Sequence, residues 1–233
     1  MEKFDFYIPT RVLFGPGKLD ELAVAKLPGQ KALIVTTAGK SVKKYGYLDR
    51  VVELLKKNHG TQSVVFDKVL PNPLLSHVRE AAALCRAEGC DFVVGLGGGS
   101  PIDTAKAVCM LMTHEGSCRD YLFGGSKTVT KPGMPLIAIP TTAGSGSEMT
   151  AAAVIEDQQK NVKLSITSPY LVPKIAVIDP QLQTGMPPFI TATTGMDALT
   201  HAIESYVSKR ENPVADLFAL KAIKLIARSI RAA

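Results

Sequence analysis

Asp197 and His201 stand four residues apart in the run Thr194-Gly195-Met196-Asp197-Ala198-Leu199-Thr200-His201-Ala202-Ile203-Glu204. On a helix that spacing puts a carboxylate and an imidazole on one face, with Cβ atoms about 5–6 Å apart. Both could reach one divalent cation. Two ligands underfill a catalytic metal site, which normally draws three or more groups from the protein. The pair alone therefore reads either as part of a metal centre or as a surface Asp–His pair.

A second kind of chemistry sits upstream. The apolar run Val93-Val94-Gly95-Leu96 leads into Gly97-Gly98-Gly99, then Ser100-Pro101-Ile102-Asp103. Glycine accepts positive φ and lets a phosphate approach without meeting a Cβ. Ser100 reads as a helix N-cap, Pro101 as the first helical residue and Asp103 as a capping residue. Free N–H groups at such a helix start favour an anion. The motif is not the Gly-x-Gly-x-x-Gly fingerprint, because Ser stands at position 100. Alone it supports a phosphate site or an unliganded tight turn. A second loop, Pro140-Thr141-Thr142-Ala143-Gly144-Ser145-Gly146-Ser147-Glu148, gathers hydroxyls and glycines after another apolar run. Two such loops after two buried strands point to a dinucleotide.

The elements that must position these groups alternate. Strands are expected at Arg11–Phe14, Ala32–Thr36, Ser63–Phe66, Phe92–Gly95 and Leu136–Ile139, and further ones at Ala151–Ile155, Lys163–Thr167 and Ile175–Ile178. Helices are expected from Gly17 through Leu27 and over Val42–Asn58, Leu74–Glu88 and Ser100–Thr113, with Pro71-Asn72-Pro73 as a loop. This is the pattern of an α/β fold with a doubly wound, mostly parallel sheet, whose ligands bind at the carboxyl ends of its strands. Past Gly185-Met186-Pro187-Pro188 the texture becomes helical, over Thr191–Ser208 and Pro213–Ile230. The expected division is 1–184 as a dinucleotide-binding domain and 185–233 as the start of an all-α domain. Two helices alone would leave Leu217, Phe218, Ile223 and Ile226 uncovered.

The bulk composition narrows the class. A hydrophobic content of 46% suits a buried core and argues against disorder, and the absence of Trp fits α/β layers better than a sandwich. The net charge of +6 comes from 27 basic residues dispersed among 21 acidic ones. With no basic run interleaved with aromatics, a nucleic-acid surface is not expected. Cys85, Cys90, Cys109 and Cys118 form no CxxC pair, which reads as core thiols in a reducing, cytoplasmic setting. No apolar stretch is long enough for a membrane span.

Taken together, GGGSPIDTAK (97–106), PTTAGSGSE (140–148) and TGMDALTHAIE (194–204), with LPNP (70–73) in support, resemble the iron-containing (group III) alcohol dehydrogenases. The segments fall in the family's order, and the resemblance runs along the whole chain. It implies a nucleotide-binding domain and a helical domain with the active cleft between them. Gly97, Gly98, Gly99 and Ser100 would hold the pyrophosphate of NAD or NADP. Asn72, Thr141, Thr142, Ser145, Ser147, Lys163 and Leu182 would line the ribose and nicotinamide channel, and Thr37 would also face the cofactor. Asp197 and His201 would be the first two ligands of a catalytic Fe²⁺, with Zn²⁺ also suited. The substrate would be a small alcohol or its aldehyde, and the assembly a homo-oligomer such as a dimer. The resemblance also implies two further histidine ligands from later helices, which this sequence lacks. His59, His77 and His114 lie in the nucleotide part. The chain is therefore expected to be a fragment or a short form.

Two rivals stand beside this reading. One is a related zinc polyol dehydrogenase or a dehydroquinate-synthase-like enzyme. The other is a nucleotide-binding module without turnover.

Overall fold

The computed structural model describes residues 3–210 and 212–232. Six parallel strands form the main sheet: β1 (Arg11–Phe14), β2 (Lys31–Thr37), β3 (Gln62–Val69), β4 (Phe92–Gly97), β5 (Leu136–Pro140) and β8 (Ile175–Ile178). Their spatial order is β1-β8-β5-β4-β2-β3. The expected doubly wound α/β fold is borne out. The chain moves outward from β2 to β3, then crosses back to place β4 on the other side of β2. The order reverses there, and folds of this kind hold their ligands at the carboxyl ends of the strands that flank such a reversal.

Alternation along each strand feeds two cores. In β2, Leu33 and Val35 pack on one face with α3 (Leu75–Ala87) and α4 (Gly99–Leu111). Ala32 and Ile34 pack on the other face against α2 (Tyr47–Lys57) and the 3₁₀ turn Lys18–Ala23. All four β2 residues are fully buried, as parallel strands covered on both sides must be. The four cysteines are free and buried in this core.

Several expectations shift for physical reasons. The helix expected to run to Leu27 is only the turn Lys18–Ala23, whose buried Leu19 and Leu22 suit three residues per turn. The single helix expected over Val42–Asn58 is split into α1 (Ser41–Lys44) and α2, because Gly46 takes φ +69° between them. β6 (Ala152–Asp157) and β7 (Val162–Thr167) do not join the main sheet. Only four residues separate them, too few for a parallel crossover, so they close as an antiparallel hairpin.

The chain ends in α5 (Pro188–Tyr206) and α6 (Pro213–Ser229), the latter capped by the Asn212 side chain. Gly195 on α5 lies so close to Ile230 that a Cβ there would stand 2.2 Å from its Cδ1. The opposite sides stay uncovered: Leu217 and Phe218 are exposed, whereas Ile223 and Ile226, expected to be bare as well, are half-buried. Among the described residues no helix is long and apolar enough to cross a membrane.

Candidate active site

Three loops leave the sheet side by side. Thr36 pairs with Leu96 and Gly97 with Pro140, so the ends of β2, β4 and β5 lie in register. Thr141 N–H donates to the Gly97 carbonyl at 2.9 Å, tying the second loop to the first.

Gly97 takes φ +139°, a conformation that side chains rarely tolerate. Gly98, not Ser100, is the N-cap, and no side chain caps the helix. Ser100 is the second helical residue, and its carbonyl accepts from the Thr104 hydroxyl at 2.9 Å. The N–H groups of Gly99 and Ser100 therefore have no acceptor in their own helix and point out of its first turn. The glycines also serve packing. A Cβ on Gly98 would lie 3.2 Å from Thr142 Oγ1, and one on Gly99 would lie 3.0 Å from Ser145 Cβ and Oγ. The absence of Cβ atoms at 98 and 99 lets the hydroxyl loop pack closely on the helix start. The arrangement fits an anion held between the two loops.

Asp103 is not a cap. It is buried and accepts from Ser147 Oγ at 2.7 Å and from Val154 N–H at 3.0 Å. Lys106, one turn on, is fully buried and donates to the Thr150 carbonyl at 2.8 Å, its hydroxyl at 3.0 Å and the Ala152 carbonyl at 2.8 Å. Burial pushes the Asp103 carboxyl up, against the pull of Lys106 and its two donors. Burial also brings the Lys106 ammonium down to about 8. Glu148 is raised for the same first cause. These residues bind the hydroxyl loop and β6 to α4. They were overlooked as a group in the sequence, although charged residues three apart in an otherwise apolar helix were the available signal.

Asn72 takes φ +61°, and its Oδ1 accepts from Lys163 Nζ at 2.8 Å, joining residues 91 apart. Thr37 Oγ1 accepts from Gly39 N–H at 3.1 Å and so shapes the turn after β2. Leu182 is buried within the second core, and its N–H donates to the Asp179 carbonyl at 3.0 Å.

The Asp–His pair lies on α5. Asp197 Oδ1 and His201 Nε2 are 3.7 Å apart, and both side chains are half-exposed. They offer one oxygen and one nitrogen donor, a set that suits Fe²⁺ or Zn²⁺. Among the described residues no group of three or more His, Cys, Asp or Glu side chains gathers to complete such a centre. Two other histidines are occupied: His77 Nδ1 accepts from Leu74 N–H and His114 Nε2 from Thr130 N–H. What links the pair to the two glycine-bearing loops is Gly144. A Cβ there would stand 2.5 Å from the carbonyl oxygen of Thr194, one helical turn before Asp197. Helix α5 thus rests on the hydroxyl loop.

Comparison with known proteins shows the family. Residues 9–180 match the family described as iron-containing alcohol dehydrogenase, and residues 191–233 match its C-terminal family. The chain is 42% identical over 232 residues to a 1,3-propanediol dehydrogenase of Klebsiella pneumoniae, covering 99% of this chain and 59% of that protein. It is 44% identical over 237 residues to a choline dehydrogenase of Bacillus subtilis, covering 100% and 58%. Among solved structures, a 1,3-propanediol oxidoreductase superposes with a TM-score of 0.90 at 39% identity, covering 99% of this chain and 60% of that one. A sulfoacetaldehyde reductase from Bifidobacterium kashiwanohense, solved with NAD⁺, gives 0.90 at 35% identity, with 99% and 60% covered. The chain spans about three-fifths of the length of these relatives. It belongs to the iron-containing alcohol dehydrogenase family.

Proposed function

We propose that this chain carries the cofactor site and the first metal-binding helix of an NAD(P)-linked oxidoreductase that interconverts a small alcohol and its aldehyde or ketone. Residues 1–184 form the dinucleotide-binding domain, and 185–233 begin the helical metal-binding domain. The observation that supports this reading is the seating of α5, the helix that bears Asp197 and His201, on the hydroxyl loop at Gly144 and Thr194.

Gly99 and Ser100 present N–H donors to the pyrophosphate, and Gly97 and Gly98 keep that approach open. Thr141, Thr142, Ser145 and Ser147 wall the crevice, with Asn72 and Lys163 at its edge. Asp197 and His201 hold Fe²⁺, or Zn²⁺, in part. When bound, the metal supplies Lewis-acid chemistry at the alcohol oxygen and the nicotinamide supplies the hydride acceptor. The turn Thr37-Ala38-Gly39 carries no carboxylate to repel a 2′-phosphate, and Lys40 follows it, so NADP is accepted alongside NAD. The protein acts in the cytoplasm as a homo-oligomer, with a dimer as the simplest form.

Two metal ligands from one helix turn leave the rest of the coordination to other groups. We therefore expect the 233-residue chain alone to bind dinucleotide, to hold metal weakly and to turn over negligibly. Metal analysis and alcohol-dependent NAD(P)⁺ reduction on the purified chain test this. Stoichiometric, tightly held metal with ordinary turnover would show that the chain finds its other ligands elsewhere. Loss of dinucleotide binding would remove the reading altogether.

A second reading is a nucleotide-binding module without turnover. It is favoured by the lack of any gathered set of three ligating side chains among the described residues. Reconstituted activity on adding a chain that supplies histidine ligands would decide against it.

A further inference from the structure

A cavity of about 530 Å³ lies between α3, the end of α4, the stretch Gly116–Arg119 and the β6–β7 turn. It is remote from the glycine cradle. Leu111 on its wall is the last residue of thirteen in α4, whereas Gly99 is the first, about 18 Å away along the helix axis.

One face of α3 supplies Leu75, Arg79, Ala82 and Arg86, at the four-three-four spacing of a helical stripe. Buried Ala82 and Leu111 give an apolar floor. Arg119, Glu156 and Asp157 complete the charged lining, so three guanidiniums face two carboxylates and the cavity carries a net positive charge. Arg119 is committed, donating to Asp157 Oδ1 at 2.8 Å and to Gln159 Oε1 at 2.7 Å. Arg86 gives one nitrogen to the Leu111 carbonyl. Arg79 and Arg86 lie two turns apart on the solvent side of α3, with further N–H groups to offer.

Asp157 is the second observation. Its side chain is 1% exposed, and Oδ1 takes both Arg119 and the Gln159 N–H. Oδ2 is buried with no hydrogen-bond partner among the described residues. A buried carboxylate oxygen left bare is costly, and its natural complement is a hydroxyl or amino donor.

We propose that this cavity is a second ligand site, built for a small organic anion that also carries a hydroxyl or amino group. The phosphate or carboxylate rests on Arg79 and Arg86, the donor meets Asp157, and the carbon body lies on Ala82 and Leu111. The volume is in the range of small-molecule pockets.

The probe is 3-phosphoglycerate, which has both kinds of acid group and a hydroxyl, titrated calorimetrically into the full chain with and without NADPH. A saturable isotherm of equal affinity in both cases is expected. Arg79→Ala should weaken it by about tenfold, the usual worth of a charge-assisted hydrogen bond. Gly98→Val should leave it unchanged. Absence of saturable binding, or an unaltered affinity in Arg79→Ala, overturns the site. Loss of the isotherm in Gly98→Val or its competition by NADPH also overturns it, because the anion then sits on the glycine loops. A failure of NADPH itself to bind bears on the proposed function and leaves this test intact.

Discussion

Ser147 donates its hydroxyl to the buried carboxylate of Asp103 at 2.7 Å, and this bond fastens the hydroxyl loop to the helix that starts at the glycine cradle. Ser147→Ala takes one of two hydrogen-bond donors from the buried Asp103 carboxyl, leaving Val154 N–H and the Lys106 ammonium 4.0 Å away. The expected cost is about 1–3 kcal/mol. Urea midpoints should fall, and NAD(P)H should bind more weakly because the loop is no longer held. A variant with both quantities unchanged would mean that the bond positions nothing.

Lys106 gives a pH signature. In the folded chain its ammonium titrates at about 8, against 10.5 when exposed to water. Below pH 8 both states carry the proton, and the cost of burying the charge is fully present. Between about 8 and 10.5 the folded chain releases its proton first, the unfolded chain binds more, and stability rises with pH by up to about 3 kcal/mol. Lys106→Met should lack that rise. Denaturation midpoints measured from pH 7.5 to 10 check it, and parallel profiles for the two proteins would contradict it.

On the proposed function, the turn after β2 should set the choice of cofactor. It has no acid, Lys40 is exposed, and Lys43 is already paired with Asp67. NADPH is expected to bind at least as well as NADH, and Thr37→Asp should shift the preference towards NADH by about tenfold. Calorimetric titration of both cofactors measures this. Wild-type affinity for NADH about tenfold the higher would count against it.

The helical end should make the chain associate. Leu217 and Phe218 are 70% and 63% exposed, and Leu220 and Leu225 continue the apolar face. Faces of this kind drive association. Sedimentation should show oligomers that Leu217→Glu with Phe218→Glu reduces, and a monodisperse monomer for the unmodified chain would refute the expectation.

Much of this was legible in the sequence because the signals are local. Apolar runs such as Val93–Leu96 become parallel strands, and glycine triplets mark where a strand hands over to a helix. The four-residue spacing of Asp197 and His201 carries over directly to a 3.7 Å pair. What escaped depends on contacts across the chain. Asp103 looked like a cap because its position in the helix suits one, whereas its partners lie 44 and 51 residues away. Ser100 lost the cap position because Gly98 turns the chain one residue before Gly99 starts the helix. The strands of the β6–β7 hairpin are legible in the sequence, but their pairing is not, because an alternating pattern does not say which neighbour a strand will take. Lys163 and Asn72 were named separately, and only the fold brings them to 2.8 Å.

The most direct test of the account is cofactor binding to Gly98→Val beside the unmodified chain. A Cβ at position 98 would press on Thr142 Oγ1 at 3.2 Å, and valine would put a branched side chain at the helix start proposed to hold the pyrophosphate. Circular dichroism should be unchanged, because the substitution lies in a loop at the edge of the core. Fluorescence titration with NADPH should show saturable binding to the unmodified chain and at least about a hundredfold weaker binding to the variant, equivalent to losing about 2.8 kcal/mol. Equal affinity in two equally folded proteins would contradict the placement of the dinucleotide on these loops.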